Sequence, residues 1–155
     1  MSIAFVTGAS RGLGREVARG LVAAGHEVIG IGKNPHRAQE MSAELGIKFE
    51  IADLQSISEA RDLASRLLSK YGVPEIVVLA HGVMSEKMAK TLRTNDDEWS
   101  RVMNINLNSV FTLVNALGAP MAEARNGRII IFSACLGRMS GPGNAGGLAP
   151  YRISK

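Results

Sequence analysis

The chain has 155 residues, 46% of them hydrophobic and 21% charged, a balance that fits one globular domain and excludes an intrinsically disordered segment. The formal net charge of +4 comes from Lys and Arg dispersed along the chain rather than gathered on one stripe, so no nucleic-acid partner is expected. A single cysteine, Cys135, excludes an internal disulfide; with no charged-then-apolar leader and no long apolar span, the expectation is a cytoplasmic protein without a membrane partner.

The run Ile3-Ala4-Phe5-Val6 reads as a buried strand that breaks into Thr7-Gly8-Ala9-Ser10-Arg11-Gly12-Leu13-Gly14. In that turn Gly8 permits a tight bend, Gly12 lets main-chain N–H groups approach an anion, and Gly14 lets the following helix pack on the strand. A dinucleotide is the first ligand this spacing suggests, although glycine turns also follow strands that bind nothing. Leu13, Val17, Leu21 and Val22 recur at helical spacing up to Gly25, a C-terminal cap. Glu27 to Ile31 reads as the second strand. Asn34-Pro35 opens the next helix with a capping residue and a proline, and Gly46 closes it. A third strand is expected over about residues 48–51. Ser56 and Glu59 form a capping-box pattern ahead of the stripe Ile57, Leu63, Leu67, Leu68, and Ile76-Val77-Val78-Leu79 is a continuous apolar fourth strand.

From Ala80 to Thr94 the pattern is that of a loop or irregular helix, with Met84 and Met88 as isolated apolar positions. A long helix then opens on a second capping-box pattern, Asn95 to Glu98, and carries Trp99, Val102, Met103, Leu107, Val110, Phe111 and Val114. Gly127-Arg128 leads into a fifth strand, Ile129 to Phe132, followed by a glycine-rich loop. Short apolar runs alternating with helix-length stretches predict an α/β fold: a Rossmann-type open parallel sheet, order 3-2-1-4-5, with helices on both faces. Its ligand should lie beyond the carboxyl ends of the strands, at the switch between the first and fourth.

The glycine pattern, Asp53-Leu54 after the third strand, Asn106 within Asn104-Ile105-Asn106-Leu107, and Tyr151-Arg152-Ile153-Ser154-Lys155 together resemble the short-chain dehydrogenase/reductase family across essentially the whole chain. The resemblance implies an oxidoreductase that interconverts a hydroxyl and a carbonyl on a small alcohol, ketone or aldehyde, using a nicotinamide dinucleotide and no metal. It implies cofactor contacts from Gly8, Ser10, Arg11, Gly12, Leu13 and Gly14, then from Lys33, Asp53, Leu54, Ala80 and Gly82. Tyr151 and Lys155 complete that set.

The chemistry asks for an acid beside the substrate oxygen, and Tyr151 is the candidate. A free phenol has a pKa near 10 and must be tuned downward to exchange protons usefully. Lys155, four residues on, shares a helix face with it, and its ammonium favours the phenolate. In the family this lysine also holds the nicotinamide ribose. The family's asparagine, here Asn106, sits at a helix irregularity and helps hold a water linked to the lysine; alternatively Asn104, Asn106 and Asn108 are surface polar positions.

Two departures stand against the family pattern. Ala134 occupies the place of the usual substrate-binding serine, leaving Ser133, one place early, or Ser140 as substitutes. Losing such a donor typically costs ~100- to 1,000-fold in turnover, so weak activity or a disabled binding and interaction module is the alternative reading. The family's Asn-Asn-Ala-Gly is replaced by Leu79-Ala80-His81-Gly82. His81 reads as a local acid, a ligand or, most commonly for such a residue, a structural hydrogen bonder.

The second strand ends Ile31-Gly32-Lys33-Asn34 without the carboxylate that NAD-selecting enzymes place there. Arg11 and Lys33 instead offer cations where a 2′-phosphate would lie, which favours NADP(H) over NAD(H) unless both merely solvate the surface. Lys155 stands about one turn into the helix expected to carry it, too short to be stable alone. The expectation is therefore a portion of a longer chain, or a homo-oligomer that supplies the missing cover for the fifth strand and the long helix.

Overall fold

The computed structural model describes residues 1–86, 89–138 and 147–155, so Met88, Ser140 and most of the glycine-rich loop lie outside the described residues. Five strands, β1 (Ile3–Thr7), β2 (Glu27–Gly32), β3 (Lys48–Ile51), β4 (Ile76–Leu79) and β5 (Arg128–Ile131), form one parallel sheet in the order β3-β2-β1-β4-β5. The connecting helices are α1 (Gly12–Ala23), α2 (Pro35–Leu45), α3 (Ile57–Tyr71), α4 (Asp96–Met103) and α5 (Ser109–Glu123), and α6 (Ala149–Ser154) follows β5. This is the Rossmann-type architecture and strand order expected from the alternation of apolar runs.

The period-two alternation of the strands divides the core between the two sheet faces. Phe5, Ile29, Ile31, Val77 and Leu79 point to one side and pack with Leu63 and Leu67 of α3 and Leu113 and Leu117 of α5. Ala4, Val6, Val28 and Val78 point to the other and meet Ala9 and Ala18. The central strand β1 is thus covered on both faces, which carries the turn at its end into a fixed place.

Local chemistry sets the helix ends. The Asn34 side chain accepts from Arg37 N–H at 3.0 Å ahead of Pro35, and Gly46 takes φ +66 at the C-cap. The two capping-box patterns close only by half. Ser56 Oγ accepts from Glu59 N–H at 3.3 Å and Asn95 Oδ1 from Glu98 N–H at 2.9 Å. The return bonds do not form, because the Ser56 N–H donates to the Asp53 carbonyl while the Glu59 carboxylate takes the Asp53 N–H, and Glu98 takes the Glu86 N–H and Arg101.

The expected single long helix is interrupted by a π-helical turn, Asn104–Asn108, between α4 and α5. Its register shift leaves carbonyls that side chains collect: Ser109 Oγ donates to the Ile105 carbonyl at 2.8 Å and Thr112 Oγ1 to the Asn108 carbonyl at 3.0 Å. Leu13, placed by periodicity on the inner stripe of α1, is 67% exposed because it stands at the helix mouth rather than over the sheet. Phe111 of α5 at 68%, Leu107 of the π-helical turn at 42% and Ile131 of β5 at 52% leave apolar surface uncovered.

At Gly14 an added Cβ would overlap the Gly8 carbonyl, whereas at Gly20 of the same helix it would meet nothing within 4 Å. Gly20→Ala should therefore stabilise the fold by about 0.5–1 kcal/mol through helix propensity. Gly14→Ala should destabilise it by about 1–3 kcal/mol because only backbone can yield there. Paired urea melts check the opposite signs.

Candidate active site

The site grows from the carboxyl ends of β1 and β4. Gly8 adopts φ +68, and a Cβ there would come within 2.9 Å of His81 Cα, so the turn after β1 and the turn after β4 lie backbone to backbone. Gly12 (φ +54) faces open space, α1 has no side-chain cap and its first turn has no acidic residue. The unpaired N–H groups that open a helix therefore remain available to an anion. Residues 8–14 fit a dinucleotide diphosphate.

The turn after β4 carries the next layer. Asn106 is 4% exposed, and its side-chain amide docks on Val83 as a backbone would. Oδ1 accepts from Val83 N–H at 2.8 Å while Nδ2 donates to the Val83 carbonyl at 2.9 Å. Nδ2 also donates to Ser154 Oγ at 2.9 Å, and that hydroxyl donates to the Tyr151 carbonyl at 2.9 Å. The buried π-turn asparagine is thereby tied to α6, which excludes the surface reading of Asn106; Asn108 and Asn104 bond each other on the exposed side.

Gly82 is the crossing point. A Cβ there would stand 3.1 Å from Lys155 Nζ and 3.3 Å from Asn106 Oδ1, so a larger residue would press on the two side chains where they converge. Lys155 Nζ donates to the Phe132 carbonyl at 3.0 Å, and burial lowers its pKa from the ordinary lysine value. A cavity of about 190 Å³ joins these parts. Leu13 of α1 forms one wall, the turn from Ala80 through Met84 another, Phe132 and Ser133 a third, and Tyr151 with Lys155 the fourth. Ser133 Oγ donates to the Lys155 carbonyl at 2.5 Å, so its one proton is engaged. A larger depression of about 360 Å³ between Gln55 and the start of α4 holds none of the expected site residues.

The remaining expected contacts lie on the far side of the glycine turn. Ser10 Oγ would stand 3.4 Å from a Cβ at Gly32, and Lys33 Nζ lies 3.9 Å from Asp53 Oδ2 on exposed surface. Asp53 Oδ1 accepts from Gln55 N–H at 3.0 Å. The Leu54 side chain, 7% exposed, belongs to the core beneath α3.

Sequence reading missed three hydroxyls that organise this region: Ser154, Thr7 and Ser109. His81, 8% exposed, has Nδ1 2.6 Å from Thr7 Oγ1 and Nε2 2.9 Å from Ser109 Oγ. The available signal for Ser109 was a small polar residue three places after Asn106 on the apolar side of the helix.

The chain matches the short chain dehydrogenase family model over residues 2–155 and belongs to that family. It is 35% identical over 158 residues to the 3-oxoacyl-[acyl-carrier-protein] reductase FabG of Escherichia coli (strain K12), covering 99% of this chain and 61% of that protein. The chain thus spans about three fifths of the length of that relative. Among solved structures it resembles the short chain dehydrogenase of Shigella flexneri 2a str. 301 complexed with NADP, with a TM-score of 0.84, 28% identity, and coverage of 99% of this chain and 66% of the other. It also resembles a structure named ribose-5-phosphate isomerase from Brucella melitensis 16M, with a TM-score of 0.89, 29% identity, and coverage of 99% and 57%. Two such different names on one fold leave the chemistry to be argued from the site.

Desolvation, then the nearby Lys155 charge, pushes the His81 pKa down from 6.5 to about 4, against the pull of the Ile105 carbonyl. Because the folded value lies below the unfolded one, the unfolded chain binds the extra proton between them. Stability should be full above pH 6.5 and fall as pH drops toward 4, by on the order of 3 kcal/mol. Urea midpoints of the native chain and His81→Asn across this window check it: the variant should lose that part of the slope.

Proposed function

We propose that the protein is an NADP(H)-dependent oxidoreductase that interconverts a hydroxyl and a carbonyl group. The observation that carries this reading is that Tyr151, Lys155 and the glycine-turn residue Leu13 line one cavity. Gly8, Ser10, Gly12, Leu13 and Gly14 would hold the dinucleotide, with Ala80 and Gly82 beside its reactive end. When bound, the dinucleotide supplies or takes up the hydride.

Tyr151 acts as the acid in reduction and the base in oxidation, exchanging its phenolic proton with the substrate oxygen. Lys155 favours the phenolate by its charge. Burial makes that ammonium easier to deprotonate, which suits a group that passes protons onward. Asn106 supports the relay by holding the Gly82–Val83 backbone beside Lys155. With Ala134 carrying no hydroxyl, Ser133 is the hydroxyl donor on this wall among the described residues, and it serves the substrate only when its bond to the Lys155 carbonyl is exchanged.

Preference for NADP(H) rests on Arg11 and Lys33 and on the absence of a carboxylate at the end of β2. Lys33 is 67% exposed and its Asp53 pairing at 3.9 Å is a surface contact worth at most about 1 kcal/mol, so a 2′-phosphate competes for it readily. A homo-oligomer is supported by the exposed Leu107 of the π-helical turn and Phe111 of α5, four residues apart. The exposed free thiol of Cys135 agrees with a reducing, cytoplasmic setting. No helix among the described residues is long and apolar enough to cross a membrane.

NADPH absorbance with a panel of ketones, aldehydes, quinones and a 3-oxoacyl thioester tests the activity, with cofactor-induced thermal stabilisation measured alongside. Turnover is expected, and Tyr151→Phe should lower kcat by about 100- to 10,000-fold. Stabilisation without turnover would favour a disabled binding module instead. For the cofactor, Arg11→Ala and Lys33→Ala should each raise the Kd of NADPH by about tenfold while moving that of NADH little; tighter binding of NADH by the native chain rejects the assignment.

A further inference from the structure

The hydrogens around His81 can be assigned by counting donors. Ser109 has one hydroxyl proton, and it goes to the Ile105 carbonyl at 2.8 Å, so Ser109 Oγ accepts from the imidazole. Nε2 therefore carries the ring hydrogen and Nδ1 is the acceptor. The Thr7 hydroxyl donates to it at 2.6 Å, in preference to the Val78 carbonyl at 3.4 Å. The ring is neutral and holds β1 at one end and α5 at the other.

We propose that His81 is a positioning residue: braced between Thr7 and Ser109, it fixes the Ala80–Val83 turn and thereby the places of Asn106 and Lys155. Beyond Leu79 this turn has left the β4 ladder, and Gly82 within it meets both Lys155 Nζ and Asn106 Oδ1. Its attachments are the Val83–Asn106 pair on one side of Gly82 and the His81 brace on the other. Neither hydroxyl needs the imidazole for satisfaction, since Thr7 and Ser109 each have a carbonyl in reach. Removing the ring unties the turn rather than orphaning its partners. The resulting cavity between Gly8 and the π-helical turn lets Gly82 and Val83 shift, and catalytic groups placed through them lose their alignment.

The catalytic consequence rests on the proposed role of Tyr151 and Lys155; the brace itself does not. Amide hydrogen exchange on the full chain therefore reads the brace directly, comparing Val83 with Val78 in the β4 ladder as an internal reference. In His81→Ala, Val83 should exchange at least about tenfold faster relative to Val78, and in Ser109→Ala, which keeps the core volume nearly intact, about threefold faster. His81→Gln restores a donor toward Ser109 and should recover part of the loss. In the turnover assay His81→Ala should lower kcat about tenfold with KM for the carbonyl substrate changed less than about threefold, and His81→Gln should regain part of it. Unchanged Val83 protection in both His81→Ala and Ser109→Ala overturns the brace. A native chain without turnover overturns the oxidoreductase reading, while the exchange data still decide the brace.

Discussion

At Gly8 main chain touches main chain. The turn after β1 lies against the backbone of Ala80 and His81 on one side and receives the start of α1, at Gly14, on the other. No side chain separates the three segments, so their relative positions are set by backbone contact, the least yielding kind of packing. The opening of α1, with its unpaired N–H groups, and the turn after β4 are thereby held at a fixed offset. Everything in the candidate site, from the wall at Leu13 to Lys155 behind Gly82, is built on that offset.

On this rigid base the site is completed by side chains that imitate backbone. Asn106 gives Val83 the two bonds a neighbouring strand would have given, and its third goes to Ser154, which bonds the Tyr151 carbonyl. The π-helical turn matters because it brings an asparagine into the interior at a point where an uninterrupted α-helix would have continued its own ladder. Polar networks of this kind are costly when incomplete, at about 1–3 kcal/mol per unsatisfied group. Here each Asn106 side-chain hydrogen has a partner.

The departures from the family pattern gather after β4 and after β5, around the cavity that Tyr151 and Lys155 line. Ala134 removes a hydroxyl, Ser133 is bonded to a main-chain carbonyl, and His81 brings a bulky buried ring to the turn after β4. The turn after β1 keeps its glycines, with Arg11 inside it and Lys33 just beyond β2.

Strand identity and the α2 boundaries were legible in the amino-acid sequence because they follow from local rules: apolar runs, Asn34 with Pro35 ahead of a helix, Gly46 after it; the sheet order followed instead from the strand-helix alternation and the few connections it allows. The convergence of the glycine turn with Tyr151 and Lys155 was legible only through the family resemblance, since nothing local joins residues so far apart. Three features belonged to the tertiary structure alone: the half-closed capping boxes, the exposure of Leu13, and the partners of His81. Each depends on which distant donor or acceptor arrives first at a given atom. Glu59 is drawn to the Asp53 N–H and His81 to Thr7 and Ser109 by the packing of the elements that carry them. Periodicity and propensity specify which element forms, whereas the competition for each hydrogen bond is decided by distance in the assembled fold.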